Sequence, residues 1–414
     1  MTVRVETFLG GRVTQYCGDV RAVLASTPAD HFDCVVTSPP YYGLRTYGTK
    51  AQIWGGTASC KHRWGAQIVD RSRLTPGIRG SGLDDGGRAQ ARASRFEKRS
   101  TFCQRCGAWR GELGLEPSID LHVSNLVEIA AGVRRVIKPR GTFWVNYGDC
   151  YATAPNGRSA ADTKANGEDD RTHRDKPFDT AKASGLKSGN LCLLPERIAL
   201  AFQAAGWIVR SRIIWGKANT KPDSSGRYRP SYNHEMIWMF SRQMGCHYDA
   251  TAVRRPTASA TKGRLAQNVE GQQGSFRQPG KTNGPFKAVG EQDDRLLRAY
   301  EPADVEVWRM ATASFEEAHF ATFPPELAER CIKAGCPEGG SVLDPFGGAG
   351  TTALVAASLG RFPTLIELNP EYCVLARARI EAAFMGKDEG ARHMTKQIGK
   401  TAADAGPLFA GAVP

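Results

Sequence analysis

Short apolar runs broken by turn residues set the pattern of this chain. Phe32-Asp33-Cys34-Val35-Val36 reads as a buried strand. Thr37-Ser38-Pro39-Pro40-Tyr41 ends it, because neither proline donates an N–H and each fixes its own φ. The residue before each proline is pushed to extended geometry. Val20 to Ser26 reads as a short helix. From Ile119 to Ile137, the positions Leu121, Leu126, Ile129, Val133, Val136 and Ile137 recur at helical spacing, with Pro117 ahead and Pro139-Arg140-Gly141 as a stop. Gly141 to Asp149 reads as a strand entering a turn, Leu193 to Ala205 as a helix, Trp207 to Trp215 and Tyr232 to Ser241 as strands, and Pro324 to Ala334 as a helix. Ser341 to Asp344 is a strand, Pro345-Phe346-Gly347-Gly348-Ala349-Gly350 a Gly-rich turn, Thr351 to Leu359 a helix closed by Gly360, and Phe362 to Ile366 a strand ending at Glu367. With 414 residues and 41% hydrophobic content, the chain suffices for one large α/β domain plus inserts.

Two of these stretches carry chemistry. Ser38 and Tyr41 sit on a stiff loop at the carboxyl end of a strand, where open α/β sheets place their ligands. A hydroxyl, a proline carbonyl and an aromatic ring together can grip a planar base, the ring stacking while the oxygens accept from an exocyclic amine. A lone Ser-Pro-Pro is also an ordinary strand-ending turn. The glycines after Asp344 let backbone approach a ligand at a helix N-terminus, so a bulky side chain at Gly348 or Gly350 would occupy that approach. Glu367, about 20 positions on, suits ribose hydroxyls. A nicotinamide or flavin site is the competing reading of this half alone.

Together, Asp-Pro-Phe-Gly-Gly-Ala-Gly-Thr-Thr and the distant Thr-Ser-Pro-Pro-Tyr resemble the amino-methyltransferases that act on DNA. The order, catalytic loop first and cofactor loop last, looks like the permuted beta group of that family, from about Gly18 to about Ala382. The resemblance implies a three-layer αβα Rossmann-like fold with circularly permuted motifs. It implies S-adenosylmethionine as cofactor, held by Asp344, Pro345, Phe346, Gly347, Gly348, Gly350, Thr351, Glu367 and Asn369, with His319 and Phe320 in a segment packed over it. Asp19 resembles the acid that meets the cofactor's adenine amine, and it also reads as a helix N-cap. Ser38, Pro39, Pro40 and Tyr41 become the catalytic set. A serine at the first motif position is typical of the family's N4-cytosine enzymes, with N6-adenine as the alternative. Carbon-5 methylation uses a cysteine, usually after a proline, and no cysteine here follows a proline.

The segments then divide as 1–50 (catalytic loop), 51–115 (metal-binding insert), 116–253 (methyltransferase domain with a polar loop at 151–190), 254–304 (target recognition), 305–386 (cofactor binding) and 387–414 (tail). In the insert, Cys60-Lys61-His62 and Cys103-Gln104-Arg105-Cys106 offer four ligands in two close pairs, which suit tetrahedral zinc. Four buried or solvated residues without metal are the other reading. Residues 71–99 are rich in Arg and Gly and build no core. The Gln, Asn and Arg of 254–304 suit base-edge reading.

Charge changes the picture of partners. Lys and Arg total 55 against 42 acidic residues, net +13, which favours a polyanion such as double-stranded DNA. A cognate restriction endonuclease is a further expected partner. Eleven scattered cysteines make no disulfide framework, and neither a membrane-spanning run nor a signal-peptide pattern is present, so a reducing cytoplasm is the default. Rival classes are a zinc-ribbon DNA-binding protein with a vestigial methyltransferase fold, and an enzyme acting on RNA.

Overall fold

The run at Phe32–Thr37 carries so little polarity because it lies inside a sheet with both faces covered: Cys34, Val35 and Val36 are all buried. The computed structural model describes residues 3–44, 46–69, 96–153, 179–219, 228–253, 274–275, 278–279, 306–312, 323–385 and 393. In chain order its elements are β1 (Arg4–Phe8), β2 (Val13–Cys17), α1 (Val20–Ser26), β3 (Phe32–Thr37), β4 (Gln52–Trp54), β5 (Trp64–Val69), β6 (Phe96–Cys103), β7 (Trp109–Gly111), α2 (Ile119–Val136), β8 (Ile137–Tyr147), α3 (Thr180–Ser184), α4 (Leu194–Ala204), β9 (Ile208–Lys217), β10 (His234–Ser241), the two-residue strands β11 (Gly274–Ser275) and β12 (Gln278–Pro279), β13 (Val307–Met310), α5 (Pro325–Gly335), β14 (Ser341–Asp344), α6 (Thr351–Ser358), β15 (Phe362–Glu367) and α7 (Pro370–Ala383).

The chain divides into two units. The first comprises Met1–Pro39, Ile129–Asp149 and Pro195–Pro414. Among its described residues, nine strands form one sheet in the order β1-β2-β15-β14-β3-β8-β10-β9-β13. The strands from β2 to β8 run parallel, while β10 is antiparallel to both neighbours. The expected α/β fold is therefore present, as a mixed sheet with helices. α5 packs on β3 and β8 and α6 on β14 and β15, closing a core of Val36, Trp144, Trp308, Leu327, Ile332 and Val355. Burying such side chains stabilises the fold by about 1.5–3 kcal/mol each.

Two details depart from the sequence reading. Ile137, read as the last apolar position of a helix, begins β8 directly after α2. Pro139 is tolerated inside that strand because the ladder to β3 is irregular between Phe32 and Cys34. The insert, read without strands, contains a second sheet.

That sheet belongs to the other unit, Pro40–Glu128 with Cys150–Leu194. Its strands are ordered β4-β7-β6-β5, each pair antiparallel. Trp54 and Trp109, paired across β4 and β7, supply its small core, both buried. Residues 70–95, most of 254–304, the pair His319 and Phe320, and all of the tail but His393 lie outside the described residues.

Candidate active site and metal cluster

The carboxyl ends of β3, β14, β15 and β2 carry the first site. Thr37, the last residue of β3, donates its hydroxyl to Asp344 Oδ1 at 2.6 Å. Thr352 donates to Asp344 Oδ2 at 2.7 Å, and the Phe346 N–H to Oδ1 at 3.0 Å. Asp344 is only 3% exposed. Burial pushes its carboxyl up, against the pull of Thr37, Thr352 and the Phe346 N–H. Asp344 thus ties the Ser38 strand to the Gly-rich turn, acting on any ligand through the backbone it places.

The turn's glycines have different reasons to be glycine. Gly348 has φ +50°, and a Cβ there would meet nothing closer than the Phe346 carbonyl oxygen at 3.9 Å. That side is open to a ligand, as the sequence suggests. Gly350 has φ +77°, but a Cβ there would press on Ala376 and Ile380 of α7 at 3.0 Å. Its missing side chain makes room for a helix, not for a ligand's approach. Gly347 is likewise seated on β15, against Leu365.

Glu367, at the end of β15, accepts from Gly348 N–H at 2.8 Å through Oε2 and from Asn369 N–H at 2.8 Å through Oε1. It is half-buried, and burial pushes its carboxyl up while those N–H donors oppose the shift. Asn369 caps α7, its side chain accepting from Glu371 N–H at 3.0 Å. β2 pairs with β15 at Cys17 and Glu367, and Gly18 N–H donates to the Glu367 carbonyl at 2.8 Å. Asp19 therefore stands one step from this edge. It caps α1 and bonds the Arg21 N–H at 2.8 Å and the guanidinium at 2.7 Å. The structure brings together Asp19, Gly348, Glu367 and Asn369. Pro345 is buried and Phe346 half-buried in the same turn, while Thr351 faces inward.

Arg379 escapes a sequence reading. Its guanidinium donates to the Ala349 carbonyl at 3.0 Å and the Thr351 hydroxyl at 2.8 Å, so α7 grips the Gly-rich turn from behind. Nothing in a single sequence marks that arginine among its neighbours.

Ser38 and Pro39 end the first segment of the first unit, and Pro40 and Tyr41 open the second unit, in one continuous stretch. Ser38, Pro40 and Tyr41 are half-buried and Pro39 is buried. Tyr42 is only 1% exposed, a core residue of its own unit.

The second unit holds the Cys/His cluster that could bind a metal. Cys60, His62, Cys103 and Cys106 place one ligand atom each within 4.8 Å of one another. The Cys60 and Cys103 sulfurs are 4.0 Å apart, and Cys106 Sγ is 3.4 Å from His62 Nδ1. A zinc ion about 2.3 Å from each sulfur sets tetrahedral sulfurs about 3.8 Å apart, so the spacing fits a metal and is far too long for a disulfide. The N–H groups of Arg63 and Arg105 each point at Cys103 Sγ at 3.4 Å. Burial pushes that thiol up, but the N–H groups of Cys106, Arg105 and Arg63, with His62, outweigh it and bring it down to about 5. Cys60 is pushed up to about 11 by burial and its thiol neighbours. The turn is tight: a Cβ on Gly56 would lie 2.8 Å from Cys106 Sγ.

Comparison with known proteins decides between the rival classes. A DNA methylase family model, of the N6/N4 methyltransferase group, matches residues 32–378. The chain belongs to this family. It is 30% identical over 363 residues to the type II methyltransferase M.SmaI of Serratia marcescens, covering 88% of this chain and 89% of that one. It is 31% identical over 379 residues to the type II methyltransferase M.XycI of Xanthomonas campestris pv. cyanopsidis, covering 92% and 91%. The solved PvuII DNA methyltransferase (cytosine-N4-specific) matches 94% of this chain and 93% of its own, with TM-score 0.51 and 15% identity, which supports the fold. As a DNA methylase of this family the chain is an enzyme acting on DNA. No described helix is long and apolar enough to cross a membrane.

Proposed function

We propose that this DNA methylase transfers a methyl group from S-adenosylmethionine to the exocyclic N4 amine of cytosine in duplex DNA. The observation that carries this reading is the Thr37–Asp344 hydrogen bond of 2.6 Å, which anchors the Ser38 strand to the Gly-rich turn. The open side of Gly348 and the half-buried carboxylate of Glu367 fit the cofactor: backbone close enough to be approached, and an acid for ribose hydroxyls. Asp19 serves the adenine amine, and His319 and Phe320 complete the cofactor set. When bound, S-adenosylmethionine supplies a sulfonium methyl.

The rest is positioning. An aromatic amine is a poor nucleophile because its lone pair is delocalised into the ring. Ser38 and the Pro39 carbonyl accept the amine's hydrogens and favour a more tetrahedral nitrogen with its lone pair outward. Tyr41 stacks on the flipped base. Positioning then supplies much of the rate. A serine is no strong base, so the proton leaves to water after transfer. Ser38, a neutral acceptor, and the cytosine-N4 specificity of the similarly folded PvuII methyltransferase support the choice of cytosine.

Cys60, His62, Cys103 and Cys106 hold a structural zinc in this reading, four protein ligands leaving no open position for water. Residues 254–304 act as the sequence reader. The type II designation of the relatives supports a cognate restriction endonuclease as partner. Mass spectrometry of nucleosides from DNA methylated in vitro tests the reaction. N4-methylcytosine is the expected product. N6-methyladenine alone overturns the choice of base, and neither product overturns DNA methylation by this site.

A further inference from the structure

The loop that follows the Ser-Pro-Pro motif is held by two glutamates that the reaction above does not use. Glu112 gathers the far limb: its Oε1 accepts from Tyr47 N–H at 2.6 Å and Thr49 N–H at 3.2 Å, and its Oε2 from the Thr46 hydroxyl at 2.8 Å. Tyr47 in turn offers its phenol oxygen to the Tyr41 N–H at 3.3 Å. The near limb is backed by Gly114, whose carbonyl accepts from Gly43 N–H at 2.8 Å. Gly114 has φ +93°, and a Cβ there would lie 3.0 Å from the Tyr41 carbonyl oxygen, so backbone rests on backbone.

Glu116 fixes Gly114. It is fully buried and accepts from Gly114 N–H at 2.8 Å, from His122 Nδ1 at 2.8 Å and from Asn125 Nδ2 at 3.0 Å. The His122 ring lies 5.4 Å from the ring of buried Tyr42. Burying a carboxylate this deeply is a poor route to stability, since well-packed apolar side chains of the same volume do as well or better. What such a group adds is direction: three donors in fixed places. Here those donors are the backing strip of the loop and the first turns of α2.

The stems of the loop are closed in the same way. β4 begins shortly after Thr49 and β7 ends just before Glu112, and the two pair from Gln52–Gly111 to Trp54–Trp109. Gly43, Thr46, Tyr47 and Thr49 thus lean on Glu112 and Gly114, while the Tyr42 carbonyl accepts from Cys150 Sγ at 3.8 Å.

We propose that Glu112 and Glu116 are positioning residues for methyl transfer, fixing the loop from Pro40 to Thr49 so that the Tyr41 ring is set before DNA arrives; this role rests on the reaction proposed above. The test is Glu112→Ala, a change at a half-buried loop position, with Glu112→Gln as the conservative variant. Amide hydrogen exchange reads the loop, calorimetry reads affinity for S-adenosylmethionine, and single-turnover methylation of DNA reads the chemistry. In Glu112→Ala the Tyr47 and Thr49 amides should exchange at least about tenfold faster, and transfer should slow about 10- to 100-fold, the scale of a small misplacement. Affinity for the cofactor should stay within about twofold, and Glu112→Gln should recover part of the rate through its remaining carbonyl oxygen. Glu116→Gln, if it folds, should give the same split. Faster exchange with an unchanged transfer rate would make the glutamates merely structural and overturn the role. Unchanged exchange would overturn the brace itself. A wild type that transfers no methyl to any DNA would instead bring down the reaction, and this role with it.

Discussion

The Gly-rich turn and the Tyr41 loop are built from the same materials and held by opposite means. Each is a glycine-containing turn with positive φ, at Gly348 and Gly350 in one and at Gly43 and Gly48 in the other. Apart from the tie of Asp344 to Thr37, the Gly-rich turn is gripped by elements that follow it: Glu367 lies 19 residues after Gly348, and Arg379 lies 28 after Thr351. The Tyr41 loop is gripped from a distance, Tyr47 and Glu112 being 65 residues apart. A site formed by a local strand–turn–helix–strand unit carries its pattern in a short window. A site braced from a distant insert does not. In the reaction proposed above the two loops also divide the labour, one presenting backbone to the cofactor and the other, with Ser38 and Pro39 just ahead of it, presenting a ring to the base.

Ser38→Ala should separate the two loops most sharply. It removes one acceptor from the amine and leaves the Thr37–Asp344 tie in place, so transfer should fall about a hundredfold or more while affinity for S-adenosylmethionine is retained. Equal losses in both would show that the loops are not independent.

Removing the metal should come next. Chelation should lower the melting temperature and slow transfer through the second unit, with cofactor binding kept; elemental analysis of purified protein should find about one zinc per chain. A fully active metal-free enzyme would end the zinc reading. In metal-free protein the Cys103 thiolate should persist well below neutral pH. Its folded pKa is depressed to about 5 from an ordinary value near 9, so its stabilising effect is complete above the ordinary value. That effect declines as pH falls and is lost through about 5, which thiolate absorbance against pH would follow.

Gly348 and Gly350 should fail differently. Leucine at Gly348 should cut cofactor affinity with a smaller effect on melting temperature. Leucine strains a positive φ at either position, but at Gly350 it also collides with α7 and should cost stability first, about 1–3 kcal/mol. Denaturant unfolding of both variants checks the order. Glu367→Ala is expected to weaken cofactor binding by about 1–3 kcal/mol by calorimetry. Part of that loss would arise from freeing Gly348 N–H and Asn369 N–H, so a matching loss of stability should accompany it.

What could be read in advance follows from the same contrast. The strand at Ser341, the Gly-rich turn, the helix at Thr351 and the strand ending at Glu367 are legible because period and punctuation lie in about 30 consecutive residues. So are β3 and its terminating prolines. The two Cys/His pairs that come together in the second unit are legible from their spacing, although the sheet beside them is not: β4 and β7 are three residues long, too short for alternation to register. The tie of Thr37 to Asp344 spans 307 residues and leaves no local trace. Glu112 and Glu116 look like ordinary surface acids in a loop, and only folding shows one of them fully buried. Gly350 carried the right residue for a reason that depends on where α7 packs.

The strand order has a consequence for how this enzyme comes into being. β2 and β3 are separated in the sheet by β15 and β14, which arrive more than 300 residues after β3. A nascent or truncated chain that ends before Ser341 therefore has two bare strand edges where its active centre should be, and such edges invite pairing with other chains. Methylation cannot begin before Ser341–Glu367 has been made, and fragments of the first half should aggregate when expressed alone. Supplying Pro324–Ala383 as a separate polypeptide offers both missing strands and their helices at once. Two inert pieces that regain activity on mixing would be the direct signature of this interleaved sheet.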